Sequence, residues 1–131
     1  MSRETKFGQK IRELRKAKGL SQRDLADKVA VLLRAGEGRG FDFTYLSKIE
    51  TGYAHPPSIA AIIHLAHVLE ADENELIALA GKLPPDLGET LKESQAARTF
   101  YRSVLDANLS EDDWTKLLQE LKRRTKDRED R

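Results

Sequence analysis

Residues 41–52 read Phe41-Asp42-Phe43-Thr44-Tyr45-Leu46-Ser47-Lys48-Ile49-Glu50-Thr51-Gly52, a pattern that predicts one short helix. Asp42 is placed to cap the N-terminus of this helix, because its carboxylate can accept hydrogen bonds from the free backbone N–H groups that follow. Gly52 is placed to end the helix, since glycine adopts the left-handed conformation without a Cβ clash.

The two faces of the predicted helix differ in chemistry. Apolar side chains recur at helical spacing on the inner face, at Tyr45, Leu46 and Ile49. Polar side chains are left on the outer face, at Thr44, Ser47, Lys48 and Thr51. A helix of this length with these outer residues has the shape and chemistry to enter a DNA major groove. An ordinary solvated face is the alternative interpretation of the same pattern.

The segments on either side carry a second pattern. Upstream stand Leu14, Gly19-Leu20-Ser21-Gln22 and Leu25-Ala26, and downstream stand Pro56-Pro57-Ser58 and Leu65-Ala66. These residues, in this order, resemble the Cro/lambda-repressor (XRE) helix-turn-helix family, and the resemblance covers residues 6–80. It implies an all-α fold in which five helices form a lambda-repressor-like DNA-binding domain and residues 41–52 supply the recognition helix.

The resemblance also implies which side chains bind DNA. Gln22, at the start of the second helix, would hydrogen-bond a DNA phosphate and prop the recognition helix. Thr44 and Lys48 are expected to contact bases, and Phe43 is a candidate to contact a thymine methyl group. Tyr45 either contacts the DNA backbone or packs in the core. The full set of expected DNA-binding residues is Gln22, Arg23, Phe43, Thr44, Tyr45, Ser47, Lys48 and Thr51.

Charge is distributed unevenly along the chain, although the formal net charge of its 131 residues is only +1. Residues 1–57 contain 12 Lys/Arg and 7 Asp/Glu, residues 58–81 contain no Lys/Arg and 4 Asp/Glu, and residues 82–131 contain 11 of each. The basic excess therefore lies in the part that contains the candidate recognition helix, as neutralisation of phosphates requires.

The sequence argues against several other kinds of site. The chain has no cysteine, which removes disulfides and thiolate nucleophiles and suits a cytoplasmic protein. His64 and His67 have a spacing that can hold a metal, but no helical Glu lies between them. There is no glycine-rich phosphate loop, no signal-peptide core, and no apolar run near the roughly 18 residues of a membrane helix. We therefore expect no enzyme activity, no cofactor, no metal and no membrane partner.

Helical periodicity and capping residues predict the remaining elements. In the first part we expect helices over residues 6–18, from Ser21, from Ser58, and from Asp72 to Gly81. Beyond the stiff break Lys82-Leu83-Pro84-Pro85 we expect helices over 86–93, 96–106 and from Ser110, with fraying after Arg124. This divides the chain into a helix-turn-helix DNA-binding domain, 1–81, and a helical C-terminal dimerisation and regulatory segment, 82–131.

The connection between the second and third helices departs from the family pattern. The distance from Ala26 to Leu46 is longer than usual, which indicates an insertion around residues 30–39. Val31-Leu32-Leu33 is expected to lengthen the second helix, and residues 36–40 are expected to form a flexible loop. The loop either touches the DNA backbone through Arg34 or Arg39, or is a disordered bulge.

The apolar residues of the C-terminal segment need a partner surface, because so short a segment cannot bury them alone. That surface is either the first domain or a second copy of the segment. A second copy fits a repressor, which needs a two-fold axis to read a palindromic operator. The expected dimerisation residues are Phe100, Tyr101, Trp114, Leu117 and Leu121.

These observations favour a dimeric transcriptional repressor whose partners are a double-stranded DNA operator and a second copy of itself. An antitoxin that wraps a toxin with its C-terminal segment, and an adaptor that has lost DNA binding, are the alternatives. Leu79–Pro85 and the Phe100-Tyr101-Arg102 helix are loosely similar to repressors paired with an ImmA/IrrE-type zinc metallopeptidase. That similarity implies cleavage in or beside residues 99–104, and a plain dimerisation tail is its alternative.

Overall fold

The computed structural model describes residues 4–34 and 40–130. Its regular structure within these ranges is entirely α-helical, so the all-α fold class is confirmed. The helices are α1 (Lys6–Ala17), α2 (Gln22–Leu32), α3 (Phe43–Thr51), α4 (Ile59–Leu69), α5 (Glu73–Leu79), α6 (Pro85–Glu93), α7 (Gln95–Ala107) and α8 (Glu111–Glu129). Internal contacts divide the chain into two compact units, residues 1–85 and 86–131.

Short-range hydrogen bonds fix where the helices begin, as the sequence predicted. Asp42 accepts from the backbone N–H of Tyr45 at 2.8 Å and caps α3. The same role is played for α2, α4, α5 and α8 by Ser21, Ser58, Asp72 and Ser110. At the other end of α3, Gly52 has a φ of 84°, which other residues reach only with strain. Both ends of α3 are therefore encoded by residues close to them in the sequence.

One hydrophobic core holds the first unit together and draws on all five of its helices. Helix α3 contributes Leu46 and Ile49, which are fully buried, and Phe41 is buried just ahead of it. The Phe41 ring meets the Tyr45 ring edge to face, with centroids 5.4 Å apart. Tyr45 is thus half-buried against the core, and the first turn of α3 is anchored on its inner side.

Helix α1 crosses α3 at very close range, and Gly8 is the residue that permits this. A Cβ atom added to Gly8 would lie 2.4 Å from the backbone oxygen of Ile49 and 3.0 Å from that of Glu50. Real Cβ atoms do not approach a carbonyl oxygen so closely, so the crossing requires a residue without a side chain at this position. The placement of α3 therefore depends on α1.

The insertion between α2 and α3 is described only in part. Val31 and Leu32 belong to α2, and Leu33 follows its last residue as the C-cap. Arg34 is exposed. Residues 35–39 lie outside the described residues, and with them the expectations about a flexible loop and about Arg39.

The second unit consists of α6, α7 and α8, and none of these helices contains a buried residue. The guanidinium of Arg98 donates to the carbonyl oxygens of Leu91 and Lys92, both at 2.8 Å, and so ties the start of α7 to the end of α6. The expected fraying after Arg124 is wrong, because α8 continues to Glu129. Its last turns carry salt bridges at helical spacing, among them Arg123 with Asp127.

Among the helices of the described ranges, none combines the length and the hydropathy that crossing a bilayer requires.

Candidate nucleic-acid interface

A buried salt bridge fixes the C-terminal half of α3 against α1. Arg15 of α1 donates to both carboxylate oxygens of Glu50, from Nε to Oε2 at 2.8 Å and from Nη2 to Oε1 at 2.9 Å. The two side chains are only 10% and 2% exposed. A third donor, Nη1 of Arg15, reaches the carbonyl oxygen of Leu20 at 3.0 Å, beside the start of α2. A bidentate pair of this kind fixes both the distance between the two side chains and their relative orientation.

Gln22, the first residue of α2, joins the same cluster. Its Nε2 donates to Oε1 of Glu50 at 3.1 Å. Arg15, Gln22 and Glu50 therefore link α1, α2 and α3, and we call them the interhelix clamp. The hydrogen bonds to Glu50 raise the pKa of Arg15 above its ordinary value, although burial acts in the opposite direction. The guanidinium thus stays charged inside the clamp.

The interhelix clamp contains a buried charge that helical periodicity does not indicate. Arg15 lies outside the apolar stripe of the first helix in the sequence, and it is nevertheless buried. The reason is Glu50, which lies 35 residues further along the chain and supplies the compensating charge. No local pattern around either residue signals this pairing, because spacing along the chain does not report contacts between separate helices.

The outer face of α3 presents the polar side chains expected to bind DNA. Thr44, Lys48 and Thr51 are exposed, and Ser47 is half-buried. The Thr51 hydroxyl donates to the carbonyl oxygen of Ser47 at 2.8 Å, so its single O–H is used within the helix. Thr44 and Lys48 lie one turn apart on this exposed face.

The N-terminal ends of α2 and α3 meet through a ring contact. The guanidinium carbon of Arg23 lies 4.7 Å from the centroid of the Phe43 ring, within the range of a cation–π interaction. Arg23 is exposed and Phe43 is 41% exposed. Both residues were expected in the DNA interface, and the structure brings them together in a way that the sequence did not indicate.

Within residues 4–34 and 40–130, no group of three or more His, Cys, Asp or Glu side chains is arranged to hold a metal ion. The expected dimerisation residues lie elsewhere, on α7 and α8, and all five of them are exposed, from 38% for Leu117 to 58% for Phe100 and Leu121.

Comparison with known proteins identifies the family. Residues 6–79, more than half of the chain, match the family described as a helix-turn-helix domain. The chain belongs to this helix-turn-helix domain family. It is also 31% identical over 102 residues to the uncharacterized HTH-type transcriptional regulator RghRB of Bacillus subtilis (strain 168). That alignment covers 76% of this chain and 66% of the relative, so the chain spans slightly less than two thirds of RghRB.

A solved structure of a SinR protein/SinI protein complex is similar at 26% identity. The alignment covers 92% of this chain and 98% of that chain, with a TM-score of 0.47, which does not establish a common arrangement of the helices. Within the helix-turn-helix domain of the present chain, α2 and α3 form the motif, and the interhelix clamp sets their relative position.

Proposed function

We propose that this helix-turn-helix protein is a sequence-specific transcriptional repressor of the XRE type, which acts in the cytoplasm as a dimer on a palindromic operator. The observation that carries the proposal is the rigid presentation of α3. Its inner face is buried, its last turn is held by the interhelix clamp, and Thr44 and Lys48 face outward. A helix fixed in this way loses little conformational entropy when it enters a groove, which favours specific binding.

The two parts of the chain then have different tasks. Residues 1–81 bind the operator, and residues 82–131 bring two copies together. The support for the second assignment is the set of exposed apolar side chains on α7 and α8, since contiguous apolar surface on a protein indicates an interaction site. A dimer with a two-fold axis would match an operator whose half-sites lie ~34–36 Å apart.

Selection from random DNA followed by footprinting tests this proposal. We expect the full-length protein to enrich a palindromic sequence and to protect it from nuclease. We expect affinity for the selected duplex to fall by orders of magnitude as salt rises, because phosphate contacts release counterions. An adaptor without DNA binding would enrich no sequence, and a monomeric reader would enrich a single half-site.

An antitoxin is the second candidate, and the exposed apolar residues of the second unit favour it as well. In that case a toxin would cover Phe100, Tyr101, Trp114 and their neighbours. Co-purification with the product of an adjacent gene, followed by sedimentation, separates the two functions. An antitoxin would form a stable complex with the product of the adjacent gene, and that product would no longer be toxic in the complex.

The end of repression is proposed to come from cleavage by an ImmA/IrrE-type metallopeptidase, in or beside residues 99–104. This segment lies in the middle of α7 and is largely exposed, so local opening of the helix would give a peptidase access. Co-expression with a neighbouring peptidase and intact-mass measurement would give two fragments. A protein that stays whole while its promoter becomes active excludes cleavage.

A further inference from the structure

The contact between Arg23 and Phe43 places a cation where helix electrostatics disfavour one. Arg23 is the second residue of α2 and Phe43 is the first residue of α3, so the guanidinium lies beside the N-terminal ends of two helices. Helix N-termini carry a partial positive charge, and cations are ordinarily favoured at the opposite end. The carboxylate of Asp42, the N-cap residue of α3, lies at the same helix end and accepts from the backbone N–H of Tyr45.

The neighbouring polar side chains are already engaged. Arg15 and Gln22 both donate to Glu50. The carboxylate of Asp24 accepts from the backbone N–H of Ser21 in a capping box. Arg23 itself contacts the Phe43 ring. The guanidinium of Arg23 is therefore oriented by an aromatic ring.

Stacking on a ring leaves the guanidinium able to bind an anion. Arginine has five N–H donors arranged around its central carbon, and a contact with one ring cannot use all of them. A held arginine also loses less side-chain entropy on binding than a mobile one, and planar, charge-assisted hydrogen bonds suit phosphate oxygens. The adjoining open groove is lined by Arg15, Ser21, Gln22, Arg23 and Phe43.

We propose that Phe43 is a positioning residue, whose ring holds the guanidinium of Arg23 in place to bind a phosphate of the operator backbone. This inference rests on the proposed DNA-binding function. It differs from the expectation that Phe43 touches a thymine methyl group. Under this proposal Phe43 acts on DNA through Arg23, and its contribution to DNA affinity does not depend on the base sequence.

The test measures the binding constant K of the full-length protein for a DNA duplex of arbitrary sequence at several salt concentrations. Loss of one phosphate contact lowers the slope of log K against log salt by about 0.9 for B-DNA. We expect Arg23→Gln to lower the slope by about this amount. Phe43→Leu should also lower the slope, whereas Phe43→Tyr, which keeps the aromatic ring, should have the wild-type slope. The double variant should bind no more weakly than Arg23→Gln alone, because the two residues act as one unit.

Two controls separate this effect from general charge and from folding. Lys28→Gln removes the same charge from an exposed position on the same helix, and should lower the slope less than Arg23→Gln. Circular dichroism melts should show that Phe43→Leu remains folded. A folded Phe43→Leu variant that keeps the wild-type slope overturns the proposal.

A thymine contact has its own signature. In that case Phe43→Leu would weaken only the selected operator, and the difference would vanish when its thymines are replaced by uracil, which lacks the methyl group. That result also overturns the proposal. The proposed function fails separately, if the wild-type protein binds neither the random nor the selected duplex at any salt concentration.

Discussion

At the scale of single residues, Glu50 joins three helices of this fold, because it lies on α3 and accepts from residues of α1 and α2. Its carboxylate accepts from Arg15 and Gln22, and it is 3% exposed. Within the described residues, no buried side-chain nitrogen or oxygen atom lacks a hydrogen-bond partner. A change at Glu50 would therefore create an unsatisfied group in an interior that otherwise has none.

We expect Glu50→Ala to lower the free energy of unfolding by about 3–5 kcal/mol, because it leaves the Arg15 guanidinium buried without a counter-charge. The double variant Arg15→Met/Glu50→Leu should recover most of this loss, since it removes both charges together. Urea unfolding followed through the NMR methyl signals of Ile49 and Ile62 measures the difference. As a control, Lys116→Ala removes one partner of an exposed salt bridge and should cost less than about 1 kcal/mol. Equal losses for Glu50→Ala and Lys116→Ala would contradict the structural role of the clamp.

Lys48 offers a test of base reading at the same scale. It is exposed on the outer face of α3, one turn after Thr44. If Lys48 reads a guanine, Lys48→Ala should cost about 1–3 kcal/mol of binding free energy and relax the preference at one base pair. Binding to a panel of operators with single base changes measures this. A uniform loss across the panel would make Lys48 a phosphate contact instead.

The sequence predicts the residues that act on near neighbours and misses those that act across the fold. The caps at Asp42 and Ser110 are recognisable because each hydrogen bond closes within three residues. The pair of Arg15 and Glu50 is separated by 35 residues, so each appears in the sequence as an ordinary charged residue. The same limit applies to the ring contact between Arg23 and Phe43, which depends on how α2 and α3 pack.

At the scale of elements, the crossing of α1 and α3 leaves no room for a side chain at Gly8. We expect Gly8→Ala to destabilise the first unit by about 1–3 kcal/mol, because its Cβ would meet the backbone of Ile49 and Glu50 and push the helices apart. Gly88→Ala is the matched control, since a Cβ there meets nothing within 4 Å in helix α6 and should stabilise that helix slightly. The melting temperature and the DNA affinity should both fall for Gly8→Ala, and neither should fall for Gly88→Ala. A Gly8→Ala variant as stable as wild type would show that the crossing has room to relax.

The end of α8 depends on pH through Glu120. Hydrogen bonds from Arg123 and Arg124 lower the pKa of Glu120 from 4.5 to about 2. Because the folded helix favours the ionised form, this contribution is fully present above pH 4.5 and is lost as the pH falls towards about 2. We expect NMR chemical shifts of residues 120–127 to report loss of helix over this window. Glu120→Gln should remove that part of the pH dependence, and an unchanged profile would assign it to other groups.

At the scale of the whole molecule, the two units differ in how they treat their own apolar side chains. Most of the large apolar residues of the first unit are buried, whereas those of α7 and α8 in the second unit are largely exposed. We expect Trp114→Ala to shift the full-length protein from dimer towards monomer at micromolar concentration, because it removes a large apolar contact from the proposed interface. Sedimentation equilibrium measures the shift. Lys126→Ala, a change at an exposed polar position of the same helix, should leave the dimer intact.

A truncation after Gly81 extends this test to DNA. Without residues 82–131, each copy should bind a half-site weakly, because the second binding event is no longer intramolecular. A truncated protein that still sediments as a dimer would move the interface to the first unit.

The interhelix clamp also limits how the sequence of this protein can drift. Replacing Arg15 or Glu50 alone passes through a chain that has lost about 3–5 kcal/mol, which is a large share of the 5–15 kcal/mol that ordinarily separates folded from unfolded protein. Single-step replacement is therefore disfavoured by selection, and the two positions should change together or not at all. In a set of diverged relatives, we expect position 15 to covary with position 50 more strongly than with its own neighbours in α1.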